Sequence, residues 1–327
     1  MPGHLEAACH FEAAFVKQRV LVLGSEHFVA ARVMEALTAS DWATPVPYSG
    51  PPATWSEAHL AGIHSVFNGT MGRPDAILGR AQALYGALAR IGGEARVVHL
   101  SSMTVYGTRS GEVVESDALR PDLGAYGAAQ VAAESLAARY PCSVILRPGC
   151  EYGPACPEWS ERIARLLCTH RLGDLGAAGD GVCNLLFVDD LVEAILKSLT
   201  VPGIDGARFN LAMRSPPTWN EYLIRFARAL GAVPVSRIGA RRLQIEARLA
   251  APPLKLLEMM QRRLGFARAI SPAITPSLLN LCRQNITLSS GRAEAALGLA
   301  WTPLHEGLQR AAAGFRAATA FKGKEPS

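Results

Sequence analysis

Three side chains with proton-handling chemistry stand at suggestive places in this chain. Ser102 and Thr104 lie in the segment Ser101-Ser102-Met103-Thr104-Val105-Tyr106-Gly107, and Tyr126 opens a later Ala-rich run. Tyr126 and Gln130 are four residues apart, so on a helix they share one face. A free phenol titrates near 10, and an adjacent cation lowers that by about 1–3 units. Gln130 offers a hydrogen bond but no charge. Tyr126 is therefore expected to stay protonated at neutral pH. In that state it can donate to a carbonyl or a developing oxyanion, with Ser102 as second donor. It would be a poor base for oxidising an alcohol.

Such donors need a scaffold, and the sequence describes one. Residues 19–24 form a short apolar run into Gly24, followed by helical periodicity over 28–37. Val97-Val98-His99-Leu100 and Ser143-Val144-Ile145-Leu146 read as further buried strands, with helical segments near 75–91 and 125–140. Strands alternating with helices predict an α/β fold, a Rossmann-like doubly wound parallel sheet. After Pro148 the texture changes. Gly/Pro-rich loops at 148–157 and 173–181 flank a helix near 158–171, and another helix begins at Phe187-Val188-Asp189-Asp190. From Pro216 the pattern is mostly helical, broken by Pro234, Pro252-Pro253, Pro272 and Pro276. This predicts a smaller, mainly helical C-terminal substrate lobe. The expected division is 19–155 with 182–212 for the sheet domain, and 156–181 with 213–317 for the lobe. Residues 1–18 are expected to be an extension. Ligands of such sheets bind outside the carboxyl ends of the strands.

These segments fall in an order that resembles the extended short-chain dehydrogenase/reductase superfamily, of the NAD-dependent epimerase/dehydratase type. The series runs from Gly24 through Ser101-Ser102 with Val105-Tyr106-Gly107, and then Tyr126. It continues with Leu146-Arg147-Pro148-Gly149, Tyr152-Gly153-Pro154, Val188-Asp189-Asp190 and Phe209-Asn210-Leu211. Leu297-Gly298 with Trp301-Thr302-Pro303 ends it. The resemblance implies an NAD- or NADP-dependent enzyme with Ser102, Tyr126, Thr104 and Gln130 as catalytic residues. Gln130 stands where the family carries a Lys that holds the nicotinamide ribose. The cofactor would rest on Gly24, Ser25, His27, Phe28, Val29, Thr70, Pro148 and Gly149.

The cofactor end departs from the family pattern. A dinucleotide turn brings backbone close to the pyrophosphate at a helix N-terminus. Here the turn reads Gly24-Ser25-Glu26-His27-Phe28-Val29-Ala30. His27 adds bulk in place of a glycine, and Glu26 adds negative charge unless it turns to solvent. Pro45-Val46-Pro47-Tyr48-Ser49-Gly50 offers neither an acid nor an Arg for the adenosine ribose. The third strand, Val66-Phe67-Asn68-Gly69-Thr70, is also altered.

The resulting expectation is carbonyl reduction or related chemistry on a small, non-nucleotide metabolite. Cys183 stands where sugar-nucleotide members often carry an Arg. Leu256, Leu257, Met259, Met260 and Leu264 would suit an apolar pocket or ordinary core. The alternatives are a non-redox reaction (dehydration, retro-aldol, isomerisation) at the same donors, or a non-catalytic ligand sensor or scaffold. A homodimer through the Ala-rich helix is expected by analogy with the superfamily.

Composition narrows the rest. The chain has 327 residues, 49% hydrophobic and 19% charged, enough apolar content for a large core. No run of about 18 apolar residues predicts a membrane span, and no secretory leader is read at the start, so a cytoplasmic protein is expected. Seven scattered Cys show no metal spacing, so free thiols and no metal are expected. His99 reads as packed. The basic stretch from Arg237 through Arg241, Arg242, Arg248, Lys255, Arg262 and Arg263 to Arg268 lacks interleaved aromatics. It is read as a solvated face, with no nucleic-acid partner.

Overall fold

An unbroken apolar run along the first strand already requires a sheet covered on both faces. In the computed structural model, which describes residues 17–51, 54–92, 94–250, 254 and 272–322, Val20 and Val22 pack into one core. Leu21 and Leu23 pack into another on the opposite side. The strands are β1 (Gln18–Leu23), β2 (Ala43–Tyr48), β3 (Ser65–Asn68), β4 (Arg96–Leu100) and β5 (Gly111–Val113). After them come β6 (Ser143–Pro148), β7 (Cys150–Tyr152), β8 (Leu185–Phe187), β9 (Arg208–Leu211) and β10 (Ile286–Leu288). The helices are α1 (Phe28–Ala39), α2 (Pro74–Ile91), α3 (Gly124–Ala137), α4 (Ile163–Cys168) and α5 (Val188–Thr200). The rest are α6 (Trp219–Leu230), α7 (Ala240–Ile245), α8 (Pro276–Arg283), α9 (Gly291–Leu297) and α10 (Leu304–Lys322).

Six strands form one parallel sheet in the order β2-β1-β3-β4-β6-β9. Helices α1 and α5 cover one face, α2 and α3 the other. The fold is thus the expected Rossmann-like α/β sheet. The chain leaves β1 toward β2 and returns on its other side as β3, so the crevice between β1 and β3 is the topological switch point. Edge strand β2 tolerates Pro45 and Pro47. Tyr48 accepts from Gly24 N on the β1 side, so the two prolines, at the alternate positions, put their missing N–H groups on the open edge. That placement also blocks edge-to-edge pairing.

Beyond the sheet, a third core gathers residues of α4, α6, α8 and α10 with the two short parallel pairs β5–β10 and β7–β8. Helix α6 is closed by a capping box, in which Thr218 Oγ1 accepts from Glu221 N and Glu221 accepts from Thr218 N. Two distant motifs meet here. Asp190, at the start of α5, accepts from Thr302 N at 2.8 Å and from Thr302 Oγ1 at 2.6 Å.

Some expectations need correction. Gln18 belongs to β1, with its N–H donating to Trp42 O at 2.8 Å, so no extension reaches position 18. The helix expected near 158–171 is two pieces. A wide turn over Pro157–Arg162, in which Glu161 N reaches back to Cys156 O, precedes the short α4. Residues 1–16 lie outside the described residues. So do Lys255, Arg262, Arg263, Arg268 and the apolar stripe from Leu256 to Leu264. Among the described residues no helix is long and apolar enough to cross a membrane, and no group of residues could hold a metal ion.

Candidate active site

Strand β4 stops at Leu100, and Ser101 N donates to Leu146 O of the neighbouring β6. The chain then closes a 3₁₀ turn, Met103–Tyr106, capped by Ser102, whose Oγ accepts from Thr104 N at 3.3 Å. Thr104 is therefore in a turn, and its hydroxyl is buried with no hydrogen-bond partner.

Helix α3 carries the rest. Tyr126 and Gln130 share a face as their spacing predicts, and Gln130 Nε2 donates to Tyr126 Oη at 3.1 Å. The Ser102 hydroxyl acts to lower the pKa of the same phenol. Burial raises the Tyr126 pKa to about 12, against the hydrogen bond from Gln130, and the charge of Glu151 raises it further. The phenol is thus a donor at neutral pH. Gln130 is fully buried and its Oε1 has no partner.

Two residues of the site escaped the sequence reading. Met71, just past β3, places its Sδ 3.8 Å from Tyr126 Oη and 3.7 Å from Gln130 Nε2. Glu151 sits in the middle of β7, and burial raises its carboxyl pKa to about 7. A carboxylate between the buried neighbours Cys150 and Tyr152 was its only signal in the sequence.

A buried network holds this assembly on the sheet. Glu134 of α3 accepts from Ser101 Oγ at 2.7 Å and from Arg147 Nε at 3.1 Å, and it pairs with Arg147 Nη2. Arg147 Nη1 donates to Tyr106 Oη at 2.7 Å, which donates to Asn210 Oδ1 at 2.6 Å. Strands β4, β6 and β9 are thereby tied to α3 through side chains as well as through the sheet. Next to it His99 is packed: Nδ1 lies 3.2 Å from both Asn68 Nδ2 and Tyr85 Oη, and burial lowers its pKa to about 4.

The cofactor candidates divide between two ends. Gly24, Ser25, His27, Phe28, Val29 and Thr70 line the β1/β3 switch point. Gly24 has φ +71°, and a Cβ there would come within 2.9 Å of Thr70 Cα. No side chain caps the α1 N-terminus, so its first N–H groups are open to an anion. The Thr70 hydroxyl is buried without a partner. Glu26 is exposed and lies 3.5 Å from His27 Nε2, and the His27 ring reaches toward Gly72. The feared carboxylate thus points to solvent, and these residues fit a pyrophosphate. At the other end Pro148 closes β6, and Gly149 passes so near Asn184 O that any side chain would clash. Between the ends, Met71 takes the hydrogen bonds of Tyr126 and Gln130, the two groups that the resemblance turns toward the nicotinamide ribose. Its flexible thioether can vacate that space, so NAD(P) fits once Met71 turns aside.

Residues 57–212 match the model of the NAD dependent epimerase/dehydratase family. Three solved structures share the fold over 92% of this chain. MoeE5 in complex with UDP-glucose and NAD is 21% identical, with 99% of its own length covered and a TM-score of 0.69. UDP-glucuronic acid 4-epimerase from Bacillus cereus, in complex with UDP-glucuronic acid and NAD, is 17% identical, with 100% covered and a TM-score of 0.68. RMD from Pseudomonas aeruginosa, complexed with NADPH, is 17% identical, with 98% covered and a TM-score of 0.67. No curated protein matches the chain.

Proposed function

We propose that this chain, an epimerase/dehydratase-family protein through residues 57–212, is an NAD(P)-dependent enzyme of small-molecule metabolism that reduces a carbonyl group. The observation that carries the reading is the Tyr126 hydroxyl, bonded by Gln130, with no cation beside it among the described residues, and held protonated. Tyr126 and Ser102 donate to the carbonyl oxygen and stabilise the charge that grows there. Tyr126 then passes its proton to that oxygen. With its pKa raised, the phenol is ill suited to the reverse step, in which it would accept a proton from an alcohol.

The open amides of α1, with Gly24, Ser25 and Thr70, would hold the cofactor pyrophosphate. Pro148 and Gly149 would border its other end. When bound, NAD(P)H supplies the hydride. The MoeE5 and Bacillus cereus structures hold UDP-sugars. In this chain Cys183, where a nucleotide-binding Arg was sought, is fully buried against Cys150 with Cys282 nearby. A buried, uncharged thiol in that place supports a poorly charged, non-nucleotide substrate.

A second reading, in which the same donors run a non-redox dehydration, retro-aldol or isomerisation, is favoured by Met71 standing before Tyr126 and Gln130. Calorimetric titration with NAD⁺, NADH, NADP⁺ and NADPH separates the two. Micromolar binding of a reduced dinucleotide, with ketone-dependent oxidation that Tyr126→Phe abolishes, supports reduction. No binding of any dinucleotide ends it.

A further inference from the structure

Strand β2 carries no Arg at its end, yet the tertiary structure brings one there from another element. Arg80 lies on the face of α2 that packs on the sheet, with Ile77, Ala81 and Leu84, and is only 3% exposed. Its Nη2 donates to Gly50 O, two residues past the end of β2, and its Cζ stands 4.6 Å from the centre of the Tyr48 ring. Tyr48 is the last residue of β2. It pairs with Leu23 in the sheet, and its carbonyl accepts from Gly24 N at 3.0 Å. The guanidinium therefore sits at the carboxyl end of β2, one strand over from the turn that fits a pyrophosphate.

This charge is buried without an anion. Arg80 Nε and Nη1 are buried and make no hydrogen bond, and among the described residues Arg80 has no ion-pair partner. Glu57, on the 3₁₀ turn Glu57–Leu60 that packs against α2, pairs with Arg90 instead. A guanidinium cannot shed its proton to escape such a place. One carbonyl and one ring face leave its other N–H groups unsatisfied, a costly state for a buried ion. A further donor stands on the same ring. Trp55 packs edge-on against Tyr48 at 5.2 Å and stacks on His59 at 5.1 Å, and its Nε1 is also buried without a partner.

We infer that Arg80 receives the phosphate on the 2′-oxygen of an adenosine ribose, so that this chain binds NADP(H) in preference to NAD(H). In dinucleotide-binding sheets the adenosine ribose lies at the end of the second strand. An acid there holds its free hydroxyls, and an Arg accommodates its 2′-phosphate. No acid stands among residues 45–50. One phosphate oxygen takes the place of Gly50 O on Nη2 and another accepts from Nε, the forked pairing that a guanidinium makes with phosphate. An unphosphorylated ribose leaves the charge unmatched. Arg80 sets cofactor choice and takes no part in the proton transfers. This role rests on the reading of the β1/β3 crevice as a dinucleotide site.

Calorimetric titration with NADPH and NADH, and with the fragments 2′,5′-ADP and 5′-ADP, tests it. The fragments carry no nicotinamide half, so their binding does not depend on Met71. NADPH should bind about 10–100-fold tighter than NADH, and 2′,5′-ADP should exceed 5′-ADP by a similar factor, the range expected of hydrogen bonds to a charged group. Arg80→Met, which keeps a long buried side chain, should lose that factor for the phosphorylated ligands and leave the other two nearly unchanged. Arg80→Lys should retain part of it, and it decides the matter with the wild-type ratios should Arg80→Met not fold. If the two dinucleotides bind alike, or NADH the tighter, or the preference survives in Arg80→Met, the inference about Arg80 falls and the dinucleotide reading stands. If 2′,5′-ADP shows the preference and neither dinucleotide binds, the Arg80 phosphate site stands and the NAD(P) reading falls. No binding of any of the four removes both.

Discussion

Gln130 Nε2 donates to Tyr126 Oη at 3.1 Å, and both groups reach the same sulfur of Met71. The amide shares a helix face with the phenol and gives it a hydrogen bond without a charge.

Adding a charge at that position is the first prediction. Gln130→Lys places an ammonium one helical turn from the phenol. It should lower the Tyr126 pKa from about 12 by roughly 1–3 units. Phenolate absorbance, titrated against the Tyr126→Phe protein, measures it. An unchanged midpoint would show that the two side chains do not interact.

Met71→Ala should open the space in front of Tyr126 and Gln130. Binding of NADH or NADPH is expected to tighten about tenfold, a gain of roughly 1.4 kcal/mol. The calorimetric comparison with wild type decides it, and equal or weaker binding would mean Met71 does not obstruct the cofactor.

Glu134 and Arg147 are 1% and 2% exposed and joined by an ion pair. Removing one partner of a buried pair typically costs about 3–5 kcal/mol, because the other charge is left without an offset. Glu134→Ala should therefore lower the urea midpoint markedly. A loss below about 1 kcal/mol would indicate that Arg147 finds water or Tyr106 sufficient.

Glu151→Gln should stabilise the protein, and only above acid pH. The carboxyl titrates near its ordinary 4.5 in the unfolded chain and near 7 in the folded one. Between those values the folded state holds a proton the unfolded state has lost, so wild-type stability falls as pH rises and levels off above about 7. Near pH 4 the two proteins should melt alike. Near pH 8 the variant should be more stable by about 1–3 kcal/mol. Equal stability at both pH values would place Glu151 in water.

Much of this molecule was legible before any coordinates. Apolar runs at 19–24, 97–100 and 143–146 became β1, β4 and β6 because a strand buried on both faces must be apolar throughout. Tyr126 and Gln130 met because helical spacing is a local property. The end of β4 at Leu100 and the 3₁₀ turn that holds Thr104 were not legible, since a strand that stops there and one that continues look alike in sequence.

What the order of residues could not reveal was everything that depends on elements closing on one another. Glu26 turns outward because the α1 turn leaves it exposed. Met71, just past β3, meets Tyr126 only once the sheet has formed, and the charge of Glu151 on β7 acts on that phenol through space. Periodicity assigns a residue to a face. Which faces converge, and what burial and neighbouring charge then do to a phenol and a carboxyl, is decided by tertiary packing, because desolvation and Coulomb forces depend on distance in space rather than along the chain.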